Sequence, residues 1–140
     1  MLKEYDSIYK MYIKIAYIYN DENHLNKYDK EQSIERMKQA VIFANKNQDK
    51  KGLIETYMAF GDIYSKQKKY ENAISCYDNI LKFKINDNNI NYIIEAITNK
   101  ANMLICIKNY EKAMPLIDSS LSICNKYRNI DMKMKNLAYK

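Results

Sequence analysis

A stretch of this sequence returns forty residues later, and that repetition constrains the fold more than any other feature. The segment "KKYENAISCYDNILKF" at 68–83 reappears as "KNYEKAMPLIDSSLSI" at 108–123, so that Ala73 corresponds to Ala113. A further step of forty residues backwards from Ala73 reaches another small residue, Ser33. Self-similarity with a period of about 20–50 residues is typical of proteins that stack one supersecondary unit on the next. The sequence therefore predicts three successive units.

The segment before each copy repeats as well, with a large, large, small, large pattern. Its members are Tyr12, Ile15, Ala16 and Tyr19 in the first unit, Tyr57, Phe60, Gly61 and Tyr64 in the second, and Ile97, Lys100, Ala101 and Leu104 in the third. Spacings of three and four residues fit one face of a helix and do not fit a strand. Each unit is therefore predicted to be a pair of amphipathic helices. The first pattern lies forty-five residues before the second, so we expect about five extra residues in the polar turn at 20–32.

These patterns predict an all-α chain with one domain, 1–140. The units are predicted at 3–48, 49–86 and 87–126, and their helices at 3–20, 31–46, 51–67, 70–84, 88–107 and 110–126, followed by a short capping helix at 129–139.

Local signals refine the helix ends. Asn47 with Asp49, and Asn86 with Asp87, are expected to cap the helices that follow them. Pro115 is expected to bend or loosen the first turns of its helix, because a proline ring removes a backbone hydrogen bond.

Gly61 is one of only two glycines in the chain, yet it lies amid helix-forming residues. A glycine in a helix interior costs about 0.5–1 kcal/mol relative to alanine. Gly61 and Ala73 occupy the small positions of consecutive helices. We expect them to face each other, so that the antiparallel helices approach closely and nearby packing offsets the local cost. Gly61 is thus predicted to be a packing residue and not part of a phosphate-binding loop.

The net charge of +6 at pH 7 is spread along the chain, and the tightest basic cluster, "KQKK" at 66–69, falls in a predicted turn. No continuous basic face can be built from these positions, so we expect no specific binding of nucleic acid. The N-terminal segment carries charges at intervals and lacks the apolar run that a membrane span needs. We expect no membrane association and a cytoplasmic location.

The sequence lacks the residue patterns of common catalytic and metal sites. Its one histidine, His24, lies in the polar turn, and its cysteines are Cys76, Cys106 and Cys124, with no C-x-x-C pair. Zinc-binding spacing is therefore absent, and reduced thiols are expected. No nucleophile elbow, Walker loop or dinucleotide-binding glycine motif occurs. We expect no enzyme activity, no metal and no cofactor.

The middle unit resembles the tetratricopeptide repeat family. The residues that carry the resemblance are Tyr57, Phe60, Gly61 and Tyr64 in the first helix and Ala73, Tyr77 and Ile80 in the second. The resemblance covers about residues 5–126, with departures at Lys100 and Ser120. Its long period is similar to that of kinesin light chains and of bacterial peptide-sensing regulators. It implies a right-handed α-solenoid whose concave groove is lined by the first helices.

The resemblance also implies a set of groove residues. They are Lys10, Ile13, Lys14 and Tyr17 in unit one, Glu55, Met58, Asp62 and Ser65 in unit two, and Glu95, Thr98, Asn99, Asn102 and Ile105 in unit three. Chaperone-binding members clamp a terminal carboxylate with Lys, Asn and Arg at such places, and only Asn102 matches that clamp here. Peptide-sensing members use groove asparagines, and Asn99 and Asn102 suit that role because an amide both donates and accepts hydrogen bonds. The alternative is that they are two among many asparagines. Asp62, Glu55 and Glu95 would repel a carboxylate unless Lys10 or Lys14 pairs with them.

The predicted function is a non-enzymatic module that binds a protein or peptide in this groove, as the sensor or adaptor part of a bacterial regulatory protein. The alternative is a structural protein whose helices form a homo-oligomer. The segment at 128–140 bears on that alternative, because it is either a solubilising cap or part of a longer array. Nucleic-acid binding is a third interpretation, which strong salt-dependent binding to DNA would support.

Overall fold

A computed structural model describes residues 2–21 and 26–138, with side chains at 8–21 and 26–128. Six helices follow one another in this part of the chain: α1 Leu2–Tyr19, α2 Lys27–Lys46, α3 Lys50–Lys66, α4 Tyr70–Leu81, α5 Ile90–Cys106 and α6 Tyr110–Ala138. No strand occurs among the described residues. The predicted all-α class is confirmed.

The helices pack as three consecutive pairs. The most extensive contacts join α1 to α2, α3 to α4 and α5 to α6, and the pairs are linked by contacts of α2 with α3 and of α4 with α5. The first helices of the pairs also contact one another, α1 with α3 and α3 with α5. This arrangement is a helical repeat solenoid in which α1, α3 and α5 are neighbours.

The turns inside the second and third pairs have the same structure, forty residues apart. In each turn a lysine has a left-handed backbone, with φ 61° at Lys68 and φ 62° at Lys108. The next residue donates its N–H to the carbonyl five residues before it, over 2.9 Å from Lys69 and 2.8 Å from Asn109. This is the Schellman ending of a helix, in which glycine is the usual left-handed residue. The sequence repeat is therefore a repeat of backbone geometry.

Helix α2 begins earlier than the sequence predicts. The Asn26 side chain accepts a hydrogen bond from the Asp29 N–H at 2.8 Å and caps a helix that starts at Lys27. The prediction of a turn over 20–32 is therefore wrong in its second half, because an asparagine cap starts the helix before Ser33. The extra residues of the first unit lengthen α2 as well as the turn. His24 lies outside the described residues.

Helix α6 continues where the sequence predicts a break. It is 29 residues long and runs through Pro115, although this residue has no N–H to donate to the Glu111 carbonyl. The terminal helix predicted at 129–139 is the end of α6 and not a separate element. The physical reason is that "KYRN" at 126–129 contains neither glycine nor proline, the residues that most strongly end a helix.

The predicted caps are confirmed in part. The Asp49 carboxylate caps α3 by accepting a first-turn N–H at 3.1 Å, whereas Asn47 ends α2 instead of starting α3. The residue before α5 is Asn89, and not Asp87 as predicted. Asn89 Oδ1 accepts the Asn86 N–H at 2.8 Å, and Asn86 Oδ1 accepts the Asn89 N–H at 3.0 Å. The two asparagines thus hold the start of α5 reciprocally.

The core consists of two clusters that meet at α3. The first joins α1, α2 and α3 around Tyr9, Met37 and Ile63, and the second joins α3, α4 and α5 around Tyr77 and Ile93. Each cluster lies between consecutive pairs, so each pair buries its apolar faces against the next.

Lys100, which occupies a large position of the repeat pattern, is accommodated by an ion pair. Its ammonium lies 2.6 Å from the Asp78 carboxylate on α4, and the two side chains are 24% and 44% exposed. The lysine stem can cover apolar surface while its charged end reaches the carboxylate. The lysine that departs from the repeat pattern therefore has a charge partner on the neighbouring helix.

Gly61 is a packing residue as predicted, but for a different reason. A Cβ on Gly61 would lie 2.5 Å from Cε1 and 2.7 Å from Cζ of Tyr77, so a tyrosine ring occupies that space. The prediction that Ala73 faces Gly61 assigned the contact to the wrong residue of α4. The second glycine, Gly52, is covered in the same way, because a Cβ there would lie 2.8 Å from the Tyr9 hydroxyl.

Candidate binding groove

The candidate groove is the surface of the three neighbouring first helices, α1, α3 and α5. Its residues are placed by helical periodicity, since side chains three and four positions apart share a face. Inter-helix contacts decide which of them lie together, and three such contacts run from α1 or α5 to α3.

The first contact joins Tyr17 on α1 to Asp62 on α3. Burial first, then the charge of Asp62 and a hydrogen bond to it, raise the pKa of Tyr17 far above its usual value. Lys66 pairs with the Asp62 carboxylate at 3.8 Å, and its ammonium lies 5.7 Å from the centre of the Tyr17 ring. The partner that the structure gives the Asp62 carboxylate is therefore Lys66, one turn further along the same helix.

Tyr77, on α4, lies near the same part of the groove. Its side chain is 2% exposed, and burial raises its pKa far above the usual value, with further contributions from the charges of Asp62, Cys76 and Glu95. The same Glu95 charge contributes to the raised pKa of Tyr17. Two carboxylates, from α3 and α5, thus lie near two phenol groups.

The other two contacts join α3 to α5. The Tyr92 hydroxyl donates to Glu55 Oε1 at 3.1 Å, and Lys51 lies 4.0 Å from the same oxygen. The Asn99 amide donates to the Met58 sulfur at 3.7 Å. Sulfur is a weak acceptor, so this amide is held lightly and can exchange its partner.

The remaining predicted residues take no part in these inter-helix contacts. Ile13 packs on the first core cluster, and Lys10 lies 6.0 Å from the centre of its neighbouring Tyr9 ring. The Thr98 hydroxyl lies 3.2 Å from that of Ser120 on α6, so Thr98 faces the α5–α6 side. The others are exposed or half-buried on their helices, and no hydrogen bond or ion pair joins their side chains to another helix among the described residues: Lys14, Ser65, Asn102 and Ile105.

The sequence alone did not point to four residues that contact the predicted set. For Lys51 and Lys66 a signal was available in the sequence. Each lies four residues from an acidic groove residue, Lys51 from Glu55 and Lys66 from Asp62. Tyr92 carried no usable signal, because the chain has 14 tyrosines, and Tyr77 was marked by the repeat pattern without any indication of a role in the groove.

Residues 54–84, which span most of α3, all of α4 and the turn between them, match the family model described as tetratricopeptide repeat. This segment of the chain is thus a tetratricopeptide repeat. No curated protein and no solved structure matches it. Tetratricopeptide repeats serve in protein–protein interaction or as scaffolds, and they are typically not catalytic.

The matched tetratricopeptide repeat contributes Met58 and Asp62, the two residues through which α3 contacts Asn99 and Tyr17. None of the helices within 2–21 and 26–138 is both long and apolar enough to cross a membrane. In the same ranges, no three His, Cys, Asp or Glu side chains form a group suited to a metal ion. The buried thiol is that of Cys76, and burial raises its pKa to about 12.

Proposed function

We propose that the groove of this repeat protein binds an extended peptide segment of another protein, as the non-enzymatic sensor or adaptor part of a cytoplasmic bacterial regulator. The observation that carries the proposal is the state of two asparagines on α5. Asn99 has only a sulfur acceptor at 3.7 Å, and Asn102, one turn further, is exposed and makes no hydrogen bond with a described residue. Two amides on one face can bond the N–H and C=O groups of an extended peptide.

The surroundings of these amides define what kind of peptide fits. Tyr17 is 37% exposed and Met58 is half-buried, so a phenol edge and a thioether are available to an apolar side chain. Asp62 and Glu95 place negative charge beside them, with Lys66 as the partner of Asp62. An acidic peptide side chain would be repelled there, so the groove favours neutral or basic peptides.

A selection from a random peptide library tests the proposal. Peptides retained by the wild-type chain are measured against the Asn99→Ala, Asn102→Ala double variant by fluorescence anisotropy. The matched control is the Asn45→Ala, Asn125→Ala double variant, which removes exposed asparagines from α2 and α6. We expect roughly tenfold or greater loss of affinity in the groove variant, since each lost hydrogen bond costs about 1 kcal/mol, and no change in the control. Equal affinity in all three would place recognition elsewhere.

A second candidate function is homo-oligomer assembly through the outer face of α1. Met11 is 59% exposed and Ile18 is 73% exposed, and a hollow of about 260 Å³ is lined by Ile8, Met11, Tyr12 and Ile15. A second copy of the chain would cover this apolar strip. Sedimentation velocity distinguishes the two functions: assembly requires an oligomer that the Met11→Glu, Ile18→Glu variant dissociates, whereas the peptide proposal is unaffected by that variant.

A further inference from the structure

A cavity of about 530 Å³ lies where the beginning of α3 meets the connection between α4 and α5. Its walls come from three segments of the chain and include no residue of the predicted groove set. The lining residues are Lys50, Lys51, Ile54, Phe83, Lys84, Ile85, Asn86, Asn88, Asn89 and Tyr92. This volume lies within the range of about 300–1,000 Å³ that small-molecule sites occupy.

The wall of the cavity is cationic. Three of its residues are lysines and none is a carboxylate. Lys50 and Lys84 make no ion pair with a described residue, while Lys51 lies 4.0 Å from Glu55, which is outside the wall. Two ammonium groups therefore have no counter-charge, and a third has only a long contact.

The remaining wall is largely apolar and aromatic. Ile54 is 2% exposed, and Phe83 packs on the second core cluster. Ile85, which is 44% exposed, and Tyr92, whose hydroxyl donates to Glu55, also line the cavity. A flat apolar group that binds to this part of the wall would remove apolar surface from water, which is favourable.

The segment that carries Lys84 is held in place. The Asn89 amide is 8% exposed and donates to the Lys84 carbonyl at 2.8 Å. The reciprocal bonds between Asn86 and Asn89 fix the same connection to the start of α5. A wall fixed by several hydrogen bonds loses little conformational entropy when a ligand binds.

We propose that this cavity binds a small phosphate monoester that carries a flat aromatic or apolar group. A dianionic phosphate matches the two unpaired ammonium groups and the loosely paired third better than a single carboxylate does. The apolar body would lie against Phe83, Ile85 and Tyr92. This site is separate from the groove and does not depend on the proposed peptide function.

Phenyl phosphate, inorganic phosphate and phenol are the probes, titrated into the intact chain by isothermal calorimetry at low salt. We expect saturable binding of phenyl phosphate, at least tenfold tighter than that of either fragment, because each fragment fills only one half of the site. The Lys50→Gln, Lys84→Gln variant should bind phenyl phosphate at least tenfold more weakly, because it removes the two ammonium groups that have no ion-pair partner among the described residues. The control variant Lys38→Gln, Lys46→Gln removes two exposed charges from α2 and should bind as the wild type does.

Amide chemical shifts of the wild-type chain locate the site without any variant. Saturable shift changes confined to residues 50–54 and 83–92 support the inference. The inference is overturned by shift changes elsewhere, by inorganic phosphate binding as tightly as phenyl phosphate, or by no saturable binding at millimolar concentration. It is equally overturned if the α2 control variant loses as much affinity as the variant of the cavity lysines.

Discussion

The ring of Tyr77 lies directly over the α-carbon of Gly61, where a Cβ would be 2.5 Å from the ring carbon Cε1. The tyrosine is 2% exposed and belongs to the core cluster that joins α3, α4 and α5. A Cβ at this position would favour the helix, but the Tyr77 ring leaves no room for it.

Gly61→Ala is expected to destabilise the protein by about 1–3 kcal/mol, although alanine is the better helix former, because overpacking a buried ring outweighs the helix gain. Urea unfolding measures the change. In a Tyr77→Leu background the same substitution should be neutral or stabilising, since the ring is gone. A loss of equal size in both backgrounds would show that Tyr77 is not the reason for the glycine.

Stability is expected to fall at alkaline pH in a manner that depends on Tyr77. Its pKa is raised in the folded state by burial and by nearby negative charge. Between the unfolded value of about 10 and the higher folded value, only the unfolded chain loses the proton, so stability present below pH 10 is lost as the pH rises. The loss attributable to this group is about 1 kcal/mol per pH unit.

Urea unfolding of Tyr77→Phe at pH 8, 10 and 11 checks this expectation, because phenylalanine keeps the ring and removes the ionisation. The variant should lose less stability than the wild type above pH 10. Tyr28→Phe, at a tyrosine that is 63% exposed, serves as the control and should follow the wild type. Parallel curves for all three proteins would contradict the assignment.

Asn89→Ala is expected to cost about 1–2 kcal/mol, because it removes two partly buried side-chain hydrogen bonds of 2.8 Å at the start of α5. Asn88→Ala is the matched control, since the Asn88 side chain is exposed and only its backbone N–H is bonded. Thermal unfolding compares the two. If both substitutions have the same effect, the loop is not held by Asn89.

Lys68→Gly is expected to stabilise the protein by up to about 1 kcal/mol, because glycine adopts a positive φ without the steric cost that lysine bears. Lys108→Gly should give a similar gain, since φ differs by only one degree between the two sites, 61° and 62°. Lys69→Gly, at a residue with φ −92°, is the control and should lose stability. The measurement is the urea midpoint of each variant.

The ion pair of Lys100 and Asp78 is expected to contribute a coupling energy of about 0.5–1 kcal/mol in a double-mutant cycle, since both groups are partly exposed and salt screens them. The coupling should decrease when the cycle is repeated in 1 M salt. The pair Lys27–Glu31, whose side chains are 91% and 61% exposed, is the comparison and should show a smaller coupling. Equal coupling energies for the two pairs would show that the Lys100–Asp78 ion pair does not contribute to the packing of α4 against α5.

The parts of the fold that the sequence predicted are those that depend on local periodicity. The spacing of Tyr57, Phe60 and Tyr64 defines one helical face whatever its partner is, and the helix forms where that spacing indicates. The predicted helix ends were less accurate where a cap was not recognised, as at Asn26, or where no glycine or proline ends the helix, as after Lys126.

The contacts of the candidate groove could not be predicted in the same way. Which lysine pairs with Asp62 depends on side-chain geometry that sequence spacing only partly fixes, and the structure pairs Asp62 with Lys66 of the same helix. The cavity at the start of α3 could not be predicted, because Lys50 and Lys84 are distant in sequence and meet only through the packing of α3 against α5.

The uninterrupted course of α6 has a consequence for anything attached to this protein. A rigid helix of 29 residues spans about 43 Å, compared with about 25 Å for the 17 residues of α5. A domain joined in helical continuity to Ala138 would stand at a fixed distance from the repeats. Each residue inserted at the junction would move it by about 1.5 Å and turn it by about 100°. The length of α6 would therefore set both the distance and the orientation of a domain attached in this way.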